Sequence, residues 1–248
     1  MTRRSAGKEA VLPALLVVIP ALDEEATVGD VVRGARDHIG GHVLVIDDGS
    51  VDATVAVARA AGATVISHPF NLGVGAAVRS GLRYASEHGY TAVLQLDADG
   101  QHEPSDGRHL VERLQDDGAD IVVGSRFARG YRVRGLRRLG MRMLSKVVSS
   151  RLGTPLTDTT SGYRAFGKRA VDRLAPVYPS MYLSDTVEVL LMAGDWGFRV
   201  VEEPVRMSAR QGGRPSSGPA LSTVSFLRLT LVILLHDIRR PMPRRGAF

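Results

Sequence analysis

Residues Val93–Glu103 read VLQLDADGQHE. An apolar run ends in Asp97, skips one residue and reaches Asp99, with Gly100, Gln101 and His102 behind it. A short apolar run bounded by a turn is the pattern of a strand buried on both faces. Two readings of its polar end stand open. Asp-Gly closes a turn, and an aspartate there can cap the next helix. Alternatively, residues i and i+2 of an extended chain face the same way. Asp97 and Asp99 then form a hard oxygen pair suited to Mg²⁺ or Mn²⁺, with Gln101 as a further oxygen and diphosphate oxygens completing the shell. His102 reads as a neighbour of that pair rather than a ligand.

Working outward, β-branched runs recur at Leu15–Ile19, Val43–Asp47, Thr64–Ser67, Ala92–Asp97 and Asp120–Gly124. Between them, Thr27–Ile39, Asp52–Ala61, Gly75–His88 and Pro104–Asp116 carry apolar residues at helical spacing. This alternation predicts an α/β fold with a mostly parallel, Rossmann-like sheet flanked by helices. Ligands in such sheets sit beyond the carboxyl ends of the strands. A helix over Tyr182–Asp195 and a strand over Phe198–Val201 follow, separated from the first half by a polar turn, TPLTDTTSGYRAF. Residues 1–12 read as a loose basic leader, 13–210 as one catalytic domain, and 211–248 as a loop followed by an apolar and basic helix.

The other strand ends are also polar. VVIPALDEE places Pro20 as a strand stop, with Asp23, Glu24 and Glu25 opening a helix. VLVIDDGSVDAT places Asp47 and Asp48 at the second strand's end, with Asp52 as N-cap. One aspartate of that pair can brace the turn while the other points into the cleft and accepts hydrogen bonds from a base or ribose. NLGVGAAVRSG is no dinucleotide fingerprint: Val78 stands where the third glycine belongs, and the segment follows the wrong strand.

The formal net charge is +6, which favours an acidic partner. Only three of the 32 basic residues are lysine, and arginine's planar fork grips phosphate bidentately. Cysteine is absent, which excludes disulfides, Cys-based zinc sites and a cysteine nucleophile. The apolar LLVVIP run is too short for a signal peptide, so none is expected.

Taken together, VVIPALDEE, VLVIDDGSVDAT, NLGVGAAVRSG, VLQLDADGQHEP and IVVGSRF resemble the family 2 glycosyltransferases of the GT-A fold. LTDTTSGYRAF and VEVLLMAGDWGFRVVEEPV extend the likeness to the dolichol- and polyprenol-phosphate mannosyl- and glucosyltransferase branch. The resemblance implies an inverting transfer of one sugar from a GDP- or UDP-sugar to a polyprenyl monophosphate, assisted by Mg²⁺ or Mn²⁺. It implies that Pro20, Ala21 and Glu24 line the nucleotide pocket, that Asp48 contacts the base and that Asp47 supports it. Asp97 and Asp99 would carry the metal and diphosphate, with Gln101 beside them. Arg126, Arg164 and Arg210 would contact donor or acceptor phosphates. Val74 and RQGGRPSSG depart from the family pattern, the first where lysine is usual and the second at the usual Gly-x-Ser-Lys ending.

A phosphomonoester acceptor is already anionic and needs cations rather than a general base. Residues 126–151 hold nine basic side chains and no acidic one. A hydroxyl acceptor, the competing reading, would need a base, for which Asp185 or Glu188 stands available. Leu136, Leu139, Met143, Leu144, Val147 and Val148 recur near helical spacing among those basic residues. This predicts either a basic amphipathic helix on an anionic membrane surface or a core helix with a solvated basic face. FLRLTLVILLHDIRR is too short and too charged to span a bilayer. The expectation is therefore a cytoplasmic protein held peripherally on the cytoplasmic face of the membrane. A nucleic-acid binder, the third class, fits poorly with clustered carboxylates and 5% aromatic residues.

Overall fold

The computed structural model describes residues 14–127, 136–180 and 185–208, without the side chains of 136–140. The elements run β1 (Leu15–Ala21), α1 (Val28–His38), β2 (His42–Asp47), α2 (Thr54–Ala60), β3 (Thr64–Ser67), α3 (Val74–Glu87) and β4 (Ala92–Gln95). Then follow α4 (Pro104–Asp116), β5 (Ile121–Ser125), α5 (Leu136–Leu152), β6 (Arg164–Gly167), α6 (Lys168–Leu174), α7 (Asp185–Asp195) and β7 (Val200–Pro204). The strands form one seven-stranded sheet in the order β3-β2-β1-β4-β6-β5-β7. Every pairing is parallel except those of β6, which runs antiparallel to both β4 and β5.

Period-two burial explains why the sheet is covered twice. Leu16 and Val18 of β1 pack on one face, with α3, α5, α6 and α7. Leu15, Val17 and Ile19 pack on the other, with α1 and α4. Both faces of the central strand are therefore apolar, as a parallel α/β sheet requires.

The mostly parallel GT-A-like sheet agrees with the sequence expectation, with local corrections. β1 continues through Pro20, which sits opposite Ile46 of β2. The Val18 carbonyl faces β4 and accepts from Leu96 N, so Pro20, two residues on, faces the same side. Pairing with β4 ends at Val18↔Gln95, and the missing N–H of Pro20 falls where no ladder partner is left. The segment ending TTSGYRAF is not all turn: its last residues form β6. α6 directly behind it was likewise not anticipated.

The two readings of α5 are partly resolved. Leu144 and Val148 enter the core, while Arg142 and Lys146 are exposed and Met143 is 62% exposed. Among the described residues no helix is long and apolar enough to cross a membrane. The leader, the boundaries expected near residues 12 and 210, and the C-terminal helix lie outside the described residues.

Candidate active site

The carboxyl ends of β1, β2, β4 and β5 share one edge of the sheet, and the reversed β6 starts there: Arg164 sits opposite both Gln95 and Val123. That reversal brings residues 158–163 against the polar end of β4. Gly162 lies directly behind Asp97. A Cβ added at Gly162 would stand 3.0 Å from each Asp97 carboxylate oxygen. His102 Nε2 lies 3.3 Å from Asp97 Oδ2. Asp97 is thus cradled, yet its side chain is 35% exposed.

Asp99 closes a turn: its Oδ1 accepts from Gln101 N at 3.0 Å. Neither aspartate caps α4, whose N-cap is Glu103 and which has no side-chain cap hydrogen bond. The helix-cap reading of this stretch therefore fails, and the turn reading holds for Asp99. Among the described residues no group of three or more His, Cys, Asp or Glu is placed to hold a metal. The protein donors offered are two carboxylates one residue apart. That set fits a hard divalent ion that takes its remaining ligands from substrate phosphates and water.

Beyond the carboxyl ends of β1 and β2, two loops are laced together. Asp23 N donates to Ser50 Oγ (3.0 Å), and Asp23 Oδ1 accepts from Val51 N (2.9 Å). Glu25 exchanges a matching pair with Asp52 and Ala53. Glu24 is buried; its N–H donates to Thr54 Oγ1 at 2.8 Å and its Oε2 accepts from Thr27 Oγ1 at 3.0 Å. Ala21 O accepts from Asp48 N. Asp52 accepts from Thr54 N but is not the N-cap, a position held by Ala53.

The adjacent aspartates both turn inward. Asp47 Oδ1 accepts from Ser50 N at 3.0 Å and braces the turn as expected. Asp48 is only 4% exposed. It accepts from Leu72 N (3.0 Å), Gly73 N (2.7 Å) and His68 Nδ1 (2.7 Å), while His68 Nε2 lies 2.9 Å from Ser80 Oγ. In this state Asp48 braces the loop before α3 instead of presenting an open carboxylate to a base. Gly75, in the segment rejected as a dinucleotide fingerprint, serves close packing: a Cβ there would stand 2.3 Å from Pro179 O.

At the end of β5 the guanidinium of Arg126 meets a fully buried carboxylate. Its Nε lies 2.8 Å from Asp158 Oδ2, and its Nη2 donates to Asp158 Oδ1 (3.3 Å) and Thr160 Oγ1 (2.7 Å). Glu202 of β7 supports this loop by accepting from Thr157 N and Asp158 N. Asp158 was missed by sequence reasoning. Its one signal, an acid inside the threonine-rich TDTT run, has no spacing that ties it to Arg126; only the reversal of β6 does so.

Arg164 is corrected. It is fully buried, and its Nε, Nη1 and Nη2 donate to the carbonyls of Ser161, Thr186 and Thr159. It ties the loop before β6 to the start of α7 and offers no surface to a phosphate. Asp185, at that start, is 2% exposed. Burial pushes its carboxyl up to about 6, against the opposing pull of Arg164 and with a further push from Asp97. Glu188 is half-buried on the next turn of α7, and Arg210 lies outside the described residues.

Comparison with known proteins agrees with this geometry. A family model described as glycosyl transferase family 2 matches residues 16–175. The polyprenol monophosphomannose synthase of Mycolicibacterium smegmatis is 33% identical over 214 residues, covering 80% of this chain and 78% of that protein. The undecaprenyl-phosphate mannosyltransferase of Micrococcus luteus is 32% identical over 216 residues, covering 80% and 85%. Among solved structures, glucosyl-3-phosphoglycerate synthase from Mycobacterium tuberculosis, in complex with Mn²⁺, UDP and glucosyl-3-phosphoglycerate, superposes with a TM-score of 0.70 at 23% identity. It covers 98% of this chain and 88% of its own, a likeness of fold. The family match, the relatives and the carboxyl-edge site converge: this chain belongs to glycosyl transferase family 2 and is a glycosyltransferase.

Proposed function

We propose that the protein moves one sugar from a nucleoside-diphosphate sugar, GDP- or UDP-linked, onto a polyprenyl monophosphate with inversion. The observation that carries this reading is the position of Asp97 and Asp99 on the same sheet edge as Arg126. Paired carboxylates there would meet one phosphate-rich partner, and Arg126, at the end of a strand of the same edge, would meet another. The polyprenyl acceptor is supported by the two relatives named for mannose transfer involving a polyprenyl phosphate.

Asp97 and Asp99 would hold Mg²⁺ or Mn²⁺ against the donor diphosphate, with Gln101 beside them. The bound cation would neutralise charge on the departing diphosphate. Arg126, aimed by Asp158, would grip a phosphate of donor or acceptor bidentately. Glu24, Asp47 and Asp48 would shape the nucleotide pocket by fixing its loops, with Pro20 and Ala21 lining it. An acceptor phosphate oxygen attacks the anomeric carbon as the bond to the diphosphate breaks on the opposite face. That oxygen is anionic at neutral pH, so no general base is required. The exposed Arg142, Met143 and Lys146 of α5 supply a cationic and apolar face for an anionic, cytoplasmic membrane surface.

The test is a screen of GDP- and UDP-sugars against polyprenyl monophosphate, 3-phosphoglycerate and simple sugar acceptors, with and without chelator. Chelator-sensitive formation of a lipid-linked sugar is expected. Transfer to 3-phosphoglycerate or a hydroxyl, with the lipid phosphate untouched, overturns the acceptor assignment. Sedimentation with anionic liposomes tests the membrane contact.

A further inference from the structure

His102 is the side chain at this edge that the reaction above leaves without a role. Its side chain is 5% exposed. One ring nitrogen, Nε2, lies 3.3 Å from Asp97 Oδ2. The other, Nδ1, is buried and meets no hydrogen-bond partner among the described residues. The ring packs on Tyr163 at 4.7 Å between centroids, and Tyr163 is pinned by donating to Glu103 O at 3.1 Å. The backbone is held as well: His102 bridges Met207, and Ser208 N donates to Gln101 O at 2.8 Å.

These contacts select a tautomer. A proton on Nδ1 would leave a buried N–H orphaned and turn the Nε2 lone pair toward a carboxylate oxygen. A proton on Nε2 faces an Asp97 carboxylate oxygen 3.3 Å away and leaves only an acceptor unsatisfied, the cheaper fault. We infer that His102, as the Nε2–H tautomer, is a positioning residue that fixes the rotation of the Asp97 carboxylate for the divalent cation. Gly162 leaves room for the same carboxylate, since a Cβ there would stand 3.0 Å from both Asp97 oxygens. His102 thus orients a ligating carboxylate without itself ligating, as hydrogen-bond partners behind metal ligands do elsewhere. The inference rests on the metal-assisted reading of Asp97 and Asp99.

The test is a titration of Mn²⁺ into the full chain with saturating UDP or GDP, followed by calorimetry or electron paramagnetic resonance. His102→Phe keeps the ring against Tyr163 and deletes the N–H. Its Mn²⁺ affinity is expected to fall roughly 10- to 100-fold, with nucleotide affinity in the absence of metal unchanged. His102→Gln, which restores an N–H of similar reach, should recover much of that loss. Should His102→Phe fail to fold, His102→Asn, whose amide is too short to reach Asp97, carries the same expected loss. Folded variants without the N–H that bind Mn²⁺ as tightly as the native chain overturn this inference alone. A native chain that takes up no Mn²⁺ with either nucleotide overturns the metal-assisted reading and this inference with it.

Discussion

Asp158 and Arg126 form an ion pair at the end of β5, 2.8 Å between Nε and Oδ2, in which the aspartate is wholly shielded from water and the arginine is 19% exposed. The buried member aims the partly exposed one. Removing one partner costs about 3–5 kcal/mol when the charge left behind is buried. Arg126→Ala leaves the fully shielded Asp158 carboxylate without its cation, so it should lose about 3 kcal/mol in urea unfolding and abolish most transfer. Asp158→Ala leaves a guanidinium that water can reach, so it should lose less stability while letting Arg126 swing out of position. Equal stability losses in the two variants would contradict this division of labour.

Asp99→Asn should leave the fold intact, because Asn Oδ1 can still accept from Gln101 N, the bond that closes the turn. The charge is lost. With several kcal/mol of charge stabilisation at stake, kcat should fall on the order of 10²-fold or more. Chelator should reproduce the loss in the native chain. Full activity in either case, with unfolding curves unchanged, would remove Asp99 from the metal-bearing edge.

Gly162→Ala tests the cradle at its glycine. The added methyl would stand 3.0 Å from both Asp97 oxygens, so the carboxylate must give by a few tenths of an ångström, a fraction of the roughly 1 Å misplacement that costs on the order of 10²-fold in rate. The expected signature is a drop in kcat partly relieved by raised Mn²⁺, with little change in the urea midpoint. A large stability loss with native kcat in the folded fraction would mark Gly162 as a packing residue only.

The pH dependence of stability should carry the mark of Asp185. Its carboxyl is pushed up to about 6 by burial, above its unfolded value near 4. Between those values the native state binds more protons than the unfolded chain, so this group makes stability fall as pH rises from about 4 to about 6. Above that window the penalty is full and constant, about 2–3 kcal/mol. Asp185→Asn should remove it. The stability gap between variant and native chain should widen across that window and then level off. A gap that stays flat from pH 4 to 7 would contradict the assignment.

The parallel half of the sheet was legible because β1, β2 and β4 are apolar runs closed by aspartates. The Asp97–Asp99 pair was legible for the same reason. The β6 strand was not. With Tyr163 just before it, it alternates Tyr163 and Ala165 on one face with Arg164 and Phe166 on the other, but an arginine at a buried position reads as polar. Its donors are satisfied by carbonyls more than twenty residues apart along the chain, Thr159 and Thr186, and no local pattern announces that. The same blindness hid Asp158 and assigned Arg164 to a phosphate. The inward turn of Asp48 was missed because its partners come from the loop after β3, whose path is set by tertiary packing rather than by adjacent residues.

The reversed strand also dictates an order of assembly. β5 has no hydrogen-bonded contact with β4; the two are joined only through β6, which is made roughly forty residues later. A chain emerging from the ribosome through β5 can close β3, β2, β1 and β4 into a sheet, but β5 must wait. The loops after β1 and β2 can therefore form early, while the cradle around Asp97 and the pair between Arg126 and Asp158 cannot exist until β6 docks. β7 then completes the edge. Non-local closure of this kind is slow, so the surroundings of Asp97 and the Arg126–Asp158 pair are expected to be assembled late, at the seam that β6 closes.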